Sequence, residues 1–221
     1  DDALRGDSEV VVAASSQKEG ALRYATDTFR ADRDGVLAVL SKDGTALEFV
    51  SQELRGDVKV VKAAVRSKTW AARFASPELL GNPELVRDVV RKYGQALRYA
   101  SPEVRADKET VLTAVRSYGL ALEYASDALK DDKDVVLAAV TASGWALQFA
   151  SLGLRNDKQV VLEAIMDCPE AFRYASREMH EDPEAIAMHT LDSASRDVYV
   201  SLRRTPTDLE AIDGDEEQGG G

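Results

Sequence analysis

The chain is poor in the residues that carry most metal and nucleophile chemistry. Its 221 residues include one cysteine and two histidines. A single cysteine excludes an intrachain disulfide framework and a four-cysteine metal site. Two histidines leave little material for a multi-histidine site. Positive charge is also in short supply: 28 lysines and arginines stand against 39 aspartates and glutamates, giving a formal charge of -11 and a pI near 4.8. That balance argues against general affinity for nucleic acid or anionic membrane. No run of 18 apolar residues occurs, so no segment reads as a membrane span. There is no signal peptide and no basic leader, and the opening Asp1-Asp2 reads as an interior cut rather than a start. The expectation is a soluble, intracellular protein, with residence inside an organelle left open.

What the chain has in abundance is repetition. Asp7, Asp32, Asp57, Asn82, Asp107, Asp132, Asp157 and Asp182 fall at intervals of 25. Tyr24, Phe49, Phe74, Tyr99, Tyr124, Phe149, Tyr174 and Tyr199 keep the same interval. A fixed period without insertions is the signature of a stacked repeat. It divides residues 1–200 into eight units of 25 and leaves 201–221 outside the register.

One unit, residues 101–125, shows how each should fold. Asp107 is suited to cap a helix, since its carboxylate can accept a free first-turn amide, and Glu109 suits the positive end of the helix dipole. Val111, Ala114 and Val115 follow at i, i+3, i+4 spacing and form an apolar stripe. Gly119 is expected to end or re-aim this helix. Ala121, Leu122, Tyr124 and Ala125 then make the buried side of a second helix of about seven residues. Ser101-Pro102-Glu103 has the cap, first-turn proline and acid of a further single turn. Helices this short do not persist alone, so the units must stack. The small residues Ala64, Ala114, Ala139 and Ala164 allow close approach, and Leu54, Leu79, Val104, Leu129 and Leu154 fill the layer between units. The fold class is all-α, an alpha solenoid, right-angle-packed or gently curved. The valine runs at 10–12 and 60–61 are strand-like locally, but the helical period continues through them.

The two ends differ. Residues 176–200 keep Ser176 and Asp182-Pro183-Glu184 but lose the apolar pattern at His189, Arg196 and Asp197, as a terminal capping unit would. Unit one weakens only at Ser15, an asymmetry that points to further units upstream in the parent protein. Residues 205–221 carry Asp208, Glu210, Asp213, Asp215, Glu216 and Glu217 and end in glycines, the composition of a solvated tail.

The recurring L-R-x-D-x-x-V-V-x-A-V and G-x-A-L-x-Y-A-S pattern, best preserved at 104–126 and 129–151, resembles the family catalogued as domain of unknown function 4116. The resemblance covers about residues 3–201. It implies a multi-copy helical scaffold, and it brings no catalytic residues, since the family has none assigned. Leu80 and Asn82, where arginine and aspartate are usual, depart from the pattern.

Columns that packing does not force are the candidates for recognition. Residues 51–100 hold ten basic and five acidic side chains, a local +5 in a chain at -11. Arg66, Arg91 and Arg116 share one column and should project in register from successive helices, with Lys62 and Arg87 nearby. Such a stripe could steer toward an acidic protein surface, hold the acidic tail, or be an ordinary solvated face. Trp70 and Trp145 share a column of mixed character, so each can anchor a partner or cover a groove between units. Arg5, Arg30, Arg55, Arg105, Lys130 and Arg155 stand two residues before their caps, and recurrence in nearly every unit favours a structural duty at the junction.

Sites of chemistry are sparse. Cys168 has no patterned base beside it. His180 and His189 are nine apart, which is not the spacing of a helical metal pair. There is no glycine-rich phosphate loop and no H-E-x-x-H motif. The reading is a noncatalytic protein-interaction or assembly element, with an accessory subunit of a larger complex as a related version, no cofactor and an acidic protein as partner. A small-ligand receptor or enzyme in a groove of the solenoid is the alternative. Nucleic-acid binding stands third, because a repeat-by-repeat reader needs a groove that is basic throughout.

Overall fold

The computed structural model describes residues 2–192 together with 194, 195 and 198. Arg196, Asp197, Tyr199 and the tail at 201–221 lie outside the described residues. Among those described, every element is helical, and the architecture is an all-α helical repeat.

Each of the eight Asp/Asn positions caps a helix, its side chain accepting a first-turn amide: Asp7 from Val10, Asp107 from Thr110 and Asp157 from Val160, for example. The helices that follow are Ser8–Gln17, Arg33–Leu40, Val58–Ser67, Pro83–Val90, Lys108–Ser117, Lys133–Ala142, Lys158–Asp167 and Pro183–Thr190. They stack on one another in chain order and form one layer.

The second segment, expected as a helix of about seven residues, is a 3₁₀-helix. It spans Gly44–Phe49, Thr69–Phe74, Gly94–Tyr99, Gly119–Tyr124, Gly144–Phe149 and Pro169–Tyr174, with a shorter form at Ala21–Tyr24. A 3₁₀ turn rises about 2.0 Å per residue against about 1.5 Å in an α-helix, so six residues run further than an α-helix of the same length. These segments stack in chain order as the second layer. The core lies between the layers, with Val111, Ala114 and Val115 from one side and Ala121 and Leu122 from the other fully buried. Leu79, Val104 and Leu129 are buried between units as expected, whereas Leu54 and Leu154 are half-buried.

A third element, a single turn such as Gln52–Arg55 or Asp127–Lys130, closes each unit. Its leading residue donates a backbone hydrogen bond to the carbonyl 21 residues earlier: Thr26 to Arg5, Ser51 to Arg30, Ser76 to Arg55, Ser101 to Leu80, Ser126 to Arg105, Ser151 to Lys130 and Ser176 to Arg155, at 2.8–3.0 Å. These turns are thus linked along the array by main-chain bonds that no side-chain pattern reveals.

The glycines do something other than the expected capping. Of the described glycines only Gly20 has a positive φ, at 76°. Gly119 instead opens its 3₁₀ segment against the next long helix, where an added Cβ would stand 2.5 Å from the Ala139 carbonyl oxygen. Gly44, Gly94 and Gly144 face the Ala64, Ala114 and Ala164 carbonyls in the same way. Where the earlier position is not glycine, the later one is not alanine: Glu19 pairs with Val39, Thr69 with Val89 and Pro169 with His189. In the sequence, glycine at the earlier position thus goes with alanine at the later one.

Candidate protein-interaction surface

Most basic side chains near the junctions are engaged within the array. Lys108 bonds the cap Asp132 at 2.8 Å and Asp134 at 3.0 Å. Lys133 bonds Asp157 at 2.8 Å, Lys158 bonds Asp182 and Glu184 at 3.0 and 2.9 Å, and Arg33 bonds Asp57 at 2.9 Å. In each case the first residue of one long helix reaches the cap of the next, so one carboxylate serves as both cap and rung, and Asp134 and Glu184 add a second contact to the same cations. Asn82 is the one neutral cap, and its incoming position is Val58, which brings no charge. The pairs leave a mark on proton affinity. Arg33 hydrogen-bonding holds Asp57 below the usual carboxylate range, and Lys108 does the same to Asp132. Asp182 is lowered first by the Ala185 amide and then by Lys158.

The same ladder separates the five basic candidate residues. Lys62 reaches Asp88 at 3.1 Å, and Arg87 reaches Asp107 at 3.4 Å and Glu109 at 2.8 Å. Both are therefore tied across a junction. Arg66 and Arg116 are exposed at the ends of their helices and, among the described residues, face no carboxylate in ion-pair range. Arg91 lies between them in sequence, its side chain 70% exposed and 3.7 Å from Asp88 of its own helix. Three adjacent, stacked helices thus each present one outward guanidinium.

The tryptophans divide as well. Trp70 is 42% exposed and meets Phe74 edge-on at 6.0 Å, with the Arg73 guanidinium over both rings at 5.9 and 5.0 Å. Trp145 is half-buried and packs edge-on against Tyr174 of the following unit at 6.1 Å. Sequence reading placed Tyr124 on a buried side, but its ring is half-buried with Arg98 over it at 5.8 Å. Arg23 lies similarly over Phe49 at 5.1 Å and Arg173 over Tyr174 at 5.4 Å. This arginine-aromatic edge was missed. The available signal was the residue before each aromatic, which is polar or charged in every unit but one: Arg23, Glu48, Arg73, Arg98, Glu123, Gln148 and Arg173.

The arginine column ahead of the caps is partly internal. Arg5 and Arg155 donate from Nε to the carbonyls of Tyr24 and Tyr174, at 2.6 and 2.5 Å, and so tie the single turn to the end of the 3₁₀ segment. Nε of Arg30, Arg55 and Arg105 is buried.

Cys168 donates its thiol to Glu170 at 3.1 Å, and burial together with that carboxylate pushes its pKa up, away from thiolate chemistry. His180 and His189 do converge, with Phe172 as the common neighbour: His180 stacks on that ring at 4.4 Å and His189 tilts over it at 5.0 Å. With Glu170 and Arg173 they line a shallow hollow of about 510 Å³. Their Nδ1 atoms pair with the carbonyls of Ser176 and Pro169. Among the described residues no group of three or more His, Cys, Asp or Glu gathers as a metal site would require, and no helix is long and apolar enough to cross a membrane.

Comparison with known proteins places this pattern. The family described as Domain of unknown function (DUF4116) matches residues 32–80, 82–130 and 132–180. No curated protein and no solved structure matches the chain.

Proposed function

The chain belongs to the DUF4116 family, and from that premise we propose that it is a noncatalytic protein-interaction element whose docking surface is the Arg66, Arg91 and Arg116 stripe, with Trp70 as a neighbouring aromatic anchor. In this reading residues 1–200 are eight units of 25, 176–200 is the terminal unit, and 201–221 lies outside the array. Each family match covers 49 residues, the length of two such units less one residue.

The observation that supports the reading most is selective engagement. Lys62, Arg87, Lys108, Lys133 and Lys158 all bind carboxylates across junctions, whereas Arg66 and Arg116 are left outward. Outward guanidiniums on three stacked helices, Arg91 among them with Asp88 at 3.7 Å, suit a planar, carboxylate-bearing partner, and an acidic protein surface supplies one. Charge at this density contributes chiefly to encounter rate and to the choice of partner.

Cross-linking and pull-down from native extract test the proposal, comparing the wild-type chain with the Arg66→Glu, Arg91→Glu, Arg116→Glu triple variant. The partner should be retained by the wild type and reduced about tenfold or more by the variant, with a loss that deepens at low salt. Equal recovery by both chains would reject the stripe as the docking surface.

A further inference from the structure

A second surface stands apart from that stripe. The Ser8–Gln17 helix keeps in the open the positions that later helices bury against their predecessors. Val10 is 42% exposed, while at the equivalent positions Val60, Thr110, Val135, Val160 and Ala185 are fully buried and Leu85 is half-buried. Ala14 is exposed, while Ala64, Ala114, Ala139 and Ala164 are fully buried. Leu4 is 55% exposed, while Leu79, Val104 and Leu129 are buried. The charges repeat the contrast. Asp107 with Glu109, Asp132 with Asp134, and Asp182 with Glu184 each receive a cation from the preceding helix. Asp7 and Glu9 occupy the same two positions and, among the described residues, no cation reaches them.

We propose that this face is an open junction whose occupant is a helical repeat of the same family, one that presents a glycine at the position of Gly119 and a lysine or arginine at the position of Lys108. Three features specify it. The apolar patch of Leu4, Val10 and Ala14 matches the internal junctions. Alanine at 14 is the residue that meets glycine at each of the four Gly/Ala junctions. The carboxylates of Asp7 and Glu9 call for the incoming cation. A second copy of this chain fits poorly from either end. Its far end offers Pro183, His189 and Ala194 in place of the cation, the small helix residue and the glycine. Two copies of the open face would set Asp7 and Glu9 against themselves.

The experiment joins a copy of residues 101–125 directly ahead of Asp1 in the full chain, and in a second protein a copy of residues 126–150. Amide hydrogen exchange is followed across Ser8–Gln17. Either added repeat should slow exchange there by about tenfold or more, since docking converts an open helix face into a junction. Lys108→Glu with Gly119→Val in the first copy, or Lys133→Glu with Gly144→Val in the second, should abolish the gain. Unchanged exchange with both copies, or equal protection by the substituted ones, overturns the proposal. So does sedimentation showing that the unextended chain dimerises and that Val10→Glu makes it monomeric, which would make the occupant a second copy.

Discussion

Gly119 and Ala139 meet backbone to backbone across a junction, with no room for even a methyl group at position 119. Gly119→Val should therefore destabilise the chain by about 1–3 kcal/mol, as overpacking does. Gly153 is the control. It has helical φ and ψ of -61° and -46°, and an added Cβ finds nothing nearer than 3.8 Å. Gly153→Ala should leave stability unchanged or raise it by up to about 1 kcal/mol, through the unfolded state. Urea midpoints at constant m check both.

The ion-pair ladder should be weak rung by rung. The Lys133 side chain is 43% exposed, so Lys133→Ala should cost less than about 1 kcal/mol, and the cost should shrink in high salt. Asp157→Ala removes the same rung together with the cap that holds the Val160 amide. It should cost about 1 kcal/mol more. Thermal melts at low and high ionic strength separate the two contributions.

Acid should loosen the array in a defined direction. Asp57 and Asp132 are held low by Arg33 and Lys108. Burial works against the same lowering in Asp107 and Asp157, where amide and cation contacts prevail. A carboxylate whose folded pKa lies below its unfolded value of about 3.9 takes up its proton more readily when unfolded. Its contribution is complete above that value and is lost as the pH falls through the folded pKa. Stability should decline as the pH is lowered through about 4 and below. The Asp57→Asn, Asp132→Asn variant should show a shallower decline in urea titrations at stepped pH.

The main-chain bond from Ser126 to the Arg105 carbonyl can be removed by a single substitution. Ser126 sits at φ -63° and its hydroxyl makes no cap bond. Ala125 before it is already extended. Proline suits the φ at 126 and deletes the donor, but its ring carbon then points at a carbonyl oxygen that lies 2.9 Å from the Ser126 nitrogen, so the two turns must also move apart. The expected cost is about 3 kcal/mol or more, for the lost bond, the carbonyl left behind and that displacement. An unchanged unfolding midpoint would show that these inter-unit bonds contribute nothing.

The caps and the core were legible because each follows from one residue type at one helical position. An aspartate with free amides ahead of it caps, and valine and alanine at i, i+3, i+4 are buried. The all-α repeat follows from these alone. The 3₁₀ geometry was not legible, since the apolar spacing of Ala121, Leu122 and Tyr124 satisfies either helix. Gly119 was misread because a glycine after a helix suggests a left-handed cap, whereas its actual constraint is a carbonyl 20 residues away. The pairing of Gly119 with Ala139 was nonetheless written in the columns, visible once they are compared at an offset of 20 rather than 25. Lys62 and Arg87 looked equivalent to Arg66, because charge composition does not tell which cations find a carboxylate on the next helix.

That each unit is shaped by its neighbour is tested most directly by a double-mutant cycle on Gly119→Thr and Ala139→Val, which rebuilds at this junction the Thr69 and Val89 pairing found elsewhere in the array. Each single change should destabilise, Gly119→Thr because its Cβ meets the Ala139 carbonyl and Ala139→Val because position 139 is fully buried. The double variant should be more stable than the sum of the singles by about 1 kcal/mol or more, beyond the roughly 0.5 kcal/mol within which independent sites add. Strict additivity in urea unfolding would contradict stacking that matches neighbour to neighbour.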